Sequence, residues 1–233
     1  MTIAIGINAG LYGILAADTR ITYLKPKSPF YDDNESKVQK TNMGLITGAG
    51  FAPLIDLVNS RFSTKIITDT NIMLLIIKEA REEIRQIWNH DPMIDTSIAQ
   101  TGWIFTYYTF LNEVSTLRVG VYHESLNPDN FVFYGPGDPA IIYPSELNKQ
   151  LVETIHPTII EKIVIPSDQS EIQSTIQQNI VKIMALIKAL FPYCQSISNR
   201  FQVGIHMNGQ MGISGMLDIP DESQNFSFNL KLE

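Results

Sequence analysis

A threonine follows the initiator methionine, and a methionine before so small a residue is normally removed, which would leave a free α-amino group on Thr2. That amine and its own hydroxyl share one proton path, so the nitrogen can act as general base while the side-chain oxygen attacks. An α-amine titrates near about 7.7–8.0, and a neighbouring ammonium lowers it further, leaving a neutral proton acceptor near physiological pH. No histidine is needed. His90, His123, His156 and His206 are far apart, with neither an H-E-x-x-H pattern nor Cys/His spacing, so no metal site is expected. Asp18 and Lys37 are the ionisable residues that folded hairpins could bring to the terminus, although each taken alone reads as a surface charge.

The elements that must position these residues are hairpins. Residues 3–8 and 11–17 are apolar runs joined around Ala9-Gly10. Residues 38–41 and 45–47 flank Asn42-Met43-Gly44, and the Pro- and Asp-rich stretch 22–36 between the two pairs reads as a loop. Pro53 suits the first turn of a helix over 52–60, and Asp69 or Thr70 can cap a longer helix from 71 to about 89. Aromatic and β-branched runs at 102–110 and 114–123 predict paired strands, as do 131–134 and 140–143 around Gly135-Pro136-Gly137-Asp138-Pro139. Asp168-x-x-Glu171 resembles a capping box ahead of a helix reaching Pro192, and 201–207 with 211–216 form a last hairpin about Asn208-Gly209. This order favours one α+β domain over 1–233, two antiparallel sheets flanked by helices on their outer faces.

Composition bounds the partners. The 233 residues are 44% hydrophobic, enough for one sizeable core, and 17 Lys and Arg against 24 Asp and Glu give a net charge of −7, which disfavours nucleic acid and anionic membrane. The apolar start lacks a basic flank and cleavage site, and the longest other apolar run, 72–77, is far too short to span a bilayer, so a cytoplasmic protein is expected. The single Cys194 reads as a small buried hydrophobe in a reducing compartment. The segment 44–50 (GLITGAG) before a helix, with 65–68 as a second strand and Asp69 nineteen positions after Gly50, forms a rival dinucleotide-binding oxidoreductase reading. Pro53 at the third glycine position and the hairpin-rich remainder weigh against it.

Four segments stand in an order that resembles β-type proteasome subunits and their bacterial ring-peptidase relatives: Thr2 to Gly6 (TIAIG), Gly13 to Arg20 (GILAADTR), Lys37 to Lys40 (KVQK) and Thr47 to Gly50 (TGAG). The match is dense over 2–52 and architectural beyond. The resemblance implies the N-terminal nucleophile (Ntn) hydrolase fold, a four-layer αββα sandwich. It also implies a cofactor-free threonine-type endopeptidase that acts, after removal of Met1, on peptides or unfolded proteins inside a self-compartmentalising homo-oligomeric ring fed by an ATP-dependent unfoldase. By position Thr2 would be nucleophile and base, Lys37 the cation lowering the amine pKa, Asp18 the carboxylate holding Lys37, and Arg20 the support of the neighbouring loop. Gly50, or Gly48, would offer its N–H to the oxyanion. Departures follow in the second half. Gly135-Pro136-Gly137 replaces the serine-bearing turn, and the usual Asp and Ser partners of the amine fall at Gln195 and Ser198, with Asp138 or Ser196 as substitutes. A catalytically inactive ring or scaffold subunit is the alternative.

Overall fold

The computed structural model describes residues 2–23, 30–111, 114–160, 163–220 and 227–232. Strands β1 (Ala4–Asn8) and β2 (Tyr12–Asp18) form the opening hairpin. Residues expected as loop instead include a short antiparallel pair, β3 (Ile21–Tyr23) with β4 (Phe30–Asp32). The prolines fall between two triplets rich in β-formers, Asp32 ends the second, and Asp33 and Asn34 follow it. Strands β5 (Val38–Lys40) and β6 (Leu45–Ala49) form the second hairpin. Then come α1 (Ala52–Thr64), longer than expected, α2 (Thr70–Ile87) and the unanticipated α3 (Ile94–Ala99). Asp69 caps α2, its Oδ1 accepting from the N–H groups of Asn71 at 2.8 Å and Ile72 at 3.0 Å.

Strands β7 (Gly102–Leu111) and β8 (Val114–Tyr122) pair along their whole lengths. The next two, β9 (Val132–Tyr134) and β10 (Pro139–Ile142), do not pair with one another as expected. β9 joins β8 while β10 joins β1, so the turn between them carries the chain from one sheet to the other. A turn-rich sequence between two β runs reads alike whether it closes a hairpin or crosses between sheets. Helix α4 (Lys149–Ile160) was not anticipated. In α5 (Ile172–Leu190) the expected capping box is altered: Asp168 caps a 3₁₀ turn through the Ser170 N–H, and Glu171 accepts from Ser167. Finally β11 (Arg200–Met207) pairs with β2, with β12 (Gln210–Ile213) and with β13 (Leu217–Asp218).

The result is α+β, with two main antiparallel sheets, β10-β1-β2-β11-β12 with β13 also on β11, and β5-β6-β7-β8-β9. Every ladder among the described residues is antiparallel, and 65–68 is not a strand, so 44–50 opens no parallel dinucleotide-binding unit. Side-chain alternation along each strand assigns the cores. Ile3, Ile5, Ile7 and Ile14 cluster with the α5 stripe Ile176, Ile180, Ile183 and Ile187. Ile46, Trp103 and Phe105 cluster with Leu54 and Val58 of α1 and Ile76 and Ala80 of α2. Ala4 and Leu15 of the first sheet meet Val38, Leu45, Ile104 and Val119 of the second. The sheets approach closely at Gly6, where an added Cβ would lie 2.5 Å from Ile104 Cγ2. Among the described residues no helix is long and apolar enough to cross a membrane.

Candidate active site around Thr2

Thr2 precedes the first strand, Asp18 ends the second and Lys37 immediately precedes the fifth. The antiparallel β1–β2 register pairs Ala4 with Ala17, so it returns Asp18 to the strand end from which Thr2 emerges. The Ile3 N–H donates to Asp18 Oδ1 at 2.8 Å. From the other sheet, Lys37 Nζ donates to Thr2 Oγ1 and to the Arg20 carbonyl, and the Thr2 hydroxyl also reaches that carbonyl, at 3.3 Å. Residues 2, 18, 20 and 37, distant in sequence, therefore meet at one point, with Thr2 only 6% exposed and Asp18 fully buried.

Asp18 does not hold Lys37 by a direct hydrogen bond. Its Oδ1 takes the Ile3 N–H and its Oδ2 takes those of Arg20, at 3.1 Å, and Ser198, at 3.2 Å. Its influence on Lys37 is through charge. Burial pushes the Asp18 carboxyl up from its ordinary range, opposed first by the charge of Lys37, while burial pushes the Lys37 ammonium down, opposed first by Asp18. A lysine so disposed places a positive charge and an N–H donor against Thr2 Oγ1, an arrangement that favours loss of the hydroxyl proton.

Arg20 clamps Asp33 with both ends of its guanidinium, Nε to Oδ1 at 2.5 Å and Nη2 to Oδ2 at 2.7 Å, and donates from Nη1 to the Gln195 carbonyl at 2.7 Å. It thereby ties the segment after β4 to the loop before β11. The Ser198 hydroxyl donates to the Arg200 carbonyl at 2.6 Å and lies 3.3 Å from Thr19 Oγ1, so it braces the loop, and only its backbone N–H serves the site, through Asp18. Asp138 cannot substitute near the amine. The Gly137 N–H donates to the Asn8 carbonyl, and Pro139 pairs with Ile7, placing that turn at the far end of β1. Six residues of strand amount to roughly 20 Å.

Val38 pairs with Thr47, so β6 carries Gly48 and Gly50 out at the end where Lys37 enters. Gly50 has φ +132°, and an added Cβ would stand 2.5 Å from Thr101 Cα, so no other residue fits there without displacing backbone. Thr47 Oγ1 is buried and has no hydrogen-bond partner among the described residues. An open groove of about 700 Å³, lined by Leu75, Arg81, Glu82, Tyr122 and Glu124 among others, includes none of these site residues.

Gln202 is a positioning residue that sequence reasoning missed. Its Oε1 accepts from the backbone N–H groups of Lys37, at 3.0 Å, and Val38, at 2.9 Å, and its Nε2 donates to the Ser214 carbonyl at 3.2 Å. A buried amide of β11 thus fixes the backbone on which Lys37 stands. The signal was present: Gln202 is a lone amide entering the otherwise apolar core of a strand, and a buried amide must find partners.

No family model and no curated protein matches the sequence. Solved structures do match in shape. Anbu from Hyphomicrobium sp. strain MC1 is 13% identical with a TM-score of 0.57, covering 95% of this chain and 88% of its own. Anbu (ancestral beta-subunit) from Yersinia bercovieri is 12% identical with a TM-score of 0.56, covering 95% and 87%. The helical assembly of the Anbu complex from Pseudomonas aeruginosa is 10% identical with a TM-score of 0.62, covering 94% and 88%. These matches correct the resemblance drawn from the N-terminal motifs: all three structures are Anbu proteins, proteasome-like but not the classical proteasome β subunit. The motifs lie within residues 2–52, whereas the likeness in shape extends over 94–95% of the chain. Across nearly its whole length, this chain has the fold of the Anbu structures.

Proposed function

We propose that this chain, once Met1 is removed, hydrolyses amide bonds with Thr2 as nucleophile, and that it does so as one domain with four αββα layers. The observation that carries the reading is the hydrogen bond from Lys37 Nζ to Thr2 Oγ1 at the start of the chain, beside the buried Asp18. While Met1 is attached the Thr2 nitrogen is a peptide nitrogen; only once Met1 is gone does it become an amine able to take the hydroxyl proton. Oγ then attacks the substrate carbonyl, the backbone N–H of Gly50 or Gly48 stabilises the oxyanion, and the proton passes from the amine to the leaving nitrogen as the C–N bond breaks. Water resolves the acyl-enzyme by the same route.

Peptides or unfolded polypeptides are the substrates proposed. Homo-oligomeric assembly is proposed from the shared fold, one matched structure being described as a helical assembly of the Anbu complex. Three separate apolar clusters among the described residues, one between the sheets and one on each outer side, support the four layers.

The test is mass spectrometry of the purified protein with and without a threonine-directed epoxyketone. The expected result is a chain beginning at Thr2, shifted by one probe mass, with neither labelling nor peptide turnover in Thr2→Ala. A chain that keeps Met1 in the cell, or turnover by Thr2→Ala, would refute the assignment and leave a catalytically silent scaffold as the reading of this fold.

A further inference from the structure

A second carboxylate stands at the Thr2 end of the first sheet. The β1–β10 ladder ends at the pair Ala4 and Ile142, so Thr2 and the segment from Tyr143 to Glu146 leave the sheet at the same end. The loop before β11 reaches this end too, because the Ser198 N–H and the Ile3 N–H meet on Asp18. From that loop, Ser196 Oγ donates to Glu146 Oε2 at 2.7 Å and Cys194 Sγ donates to the same oxygen at 3.2 Å, Ser196 and Cys194 both being buried. Burial raises the Glu146 pKa, while the hydrogen bonds from Ser196 and Cys194 are among the contributions that bring it below its ordinary value.

An amine that takes the Thr2 hydroxyl proton becomes an ammonium close to the Lys37 ammonium, and that repulsion opposes the transfer. Both Asp18 oxygens already accept backbone N–H groups, and both Asp33 oxygens accept from Arg20. We propose that Glu146, oriented by Ser196 and Cys194, is the positioning carboxylate for the Thr2 α-amine, stabilising the ammonium form without itself carrying the proton. This deepens the reading of Thr2 as nucleophile and rests on it. The proton lost by Oγ goes to the amine as the Oγ–C bond forms and leaves with the departing nitrogen as the C–N bond breaks, so Glu146 is unchanged at the end.

Among the described residues, Asp18, Glu35, Asp33 and Arg20 are the charged groups that act on Lys37 beside Thr2, and the Cys194 thiol and the Ser196 hydroxyl rest on Glu146. Removing only the negative charge of Glu146 lowers the amine pKa, so the acid limb of kcat/KM moves to lower pH. The experiment compares pH profiles of the processed wild type, Glu146→Gln, Glu146→Asp and Ser196→Ala, with epoxyketone labelling and thermal melts on each. Glu146→Gln is expected to shift the acid limb down by about one pH unit and to cut turnover about tenfold at neutral pH. Glu146→Asp is expected to restore the limb in part. Ser196→Ala, which keeps the carboxylate and loses its orientation, is expected to lower turnover and displace the limb less, and it provides the readout if Glu146→Gln does not fold. A labelled wild type whose acid limb stays unmoved in folded variants overturns the role of Glu146 alone. An unlabelled, inactive wild type overturns the nucleophile reading, and this proposal with it.

Discussion

Replacing Gln202 by methionine, which keeps the length and volume of the side chain, tests whether the Lys37 backbone is held as described. The change removes the acceptor of the Lys37 and Val38 N–H groups and the donor to the Ser214 carbonyl. A buried donor left without a partner costs about 1–3 kcal/mol. The Val38 bond is fully buried, whereas the Lys37 bond and the bond that the Ser36 hydroxyl donates to Gln202 Oε1 at 3.2 Å lie closer to solvent, where water recovers part of the loss. A total of about 2–4 kcal/mol follows, which for a chain of this size lowers Tm by roughly 6–12 °C. The segment freed is the one that aims Nζ at Thr2 Oγ1, and a displacement of about 1 Å at such a site can cost 100-fold in rate. Epoxyketone labelling of Thr2, followed at a temperature where the variant is fully folded, should therefore slow by at least about tenfold. A Tm within about 2 °C of wild type together with an unchanged labelling rate would show that Gln202 does not position Lys37.

Three further outcomes follow from single side chains. His206 is buried, 2.9 Å from Thr106 Oγ1 and edge-on to Tyr108, and burial pushes its pKa down to about 4. The unfolded chain, with a histidine pKa near about 6.5, then binds the proton more readily, so stability falls as pH drops from about 6.5 towards 4, by about 3 kcal/mol in all. Urea midpoints at several pH values should display this component in wild type and lack it in His206→Gln. Asp69→Ala should cost about 1 kcal/mol, read in the same urea series, because the cap of α2 loses the acceptor for two N–H groups. Thr47→Val removes a buried hydroxyl without a partner among the described residues, and should leave stability unchanged or raise it by about 1 kcal/mol; a loss of more than that would reveal a hydrogen bond to Thr47.

The hairpins and the longer helices were legible because their signals are local. Alternation along 102–110 and 114–122, and a cap such as Asp69, act within a few residues. The destination of a strand is not local. Nothing between 131 and 143 distinguishes a hairpin from a crossing, because that choice depends on which face finds an apolar partner in another sheet. Helix α4 carried a readable signal in Leu151, Val152 and Ile155, half-buried against the first core, but Pro157 within it argued for a break. At the site, the grouping of Thr2, Asp18 and Lys37 was readable because two hairpins necessarily fold back on the terminus. The partners contributed by β11 and its preceding loop were harder to find. Gln202 and Ser196 act across more than 160 and about 50 residues respectively, and no spacing rule links such positions.

The carboxylate of Asp18 fastens three stretches of chain, at residues 3, 20 and 198, to one point. Any substitution there loosens the entry to β1, the exit from β2 and the approach to β11 together, so an inactive Asp18 variant reports lost architecture as readily as lost chemistry. Lys37, whose Nζ meets Thr2 Oγ1 and whose main chain is secured separately by Gln202, is the better place to separate the two.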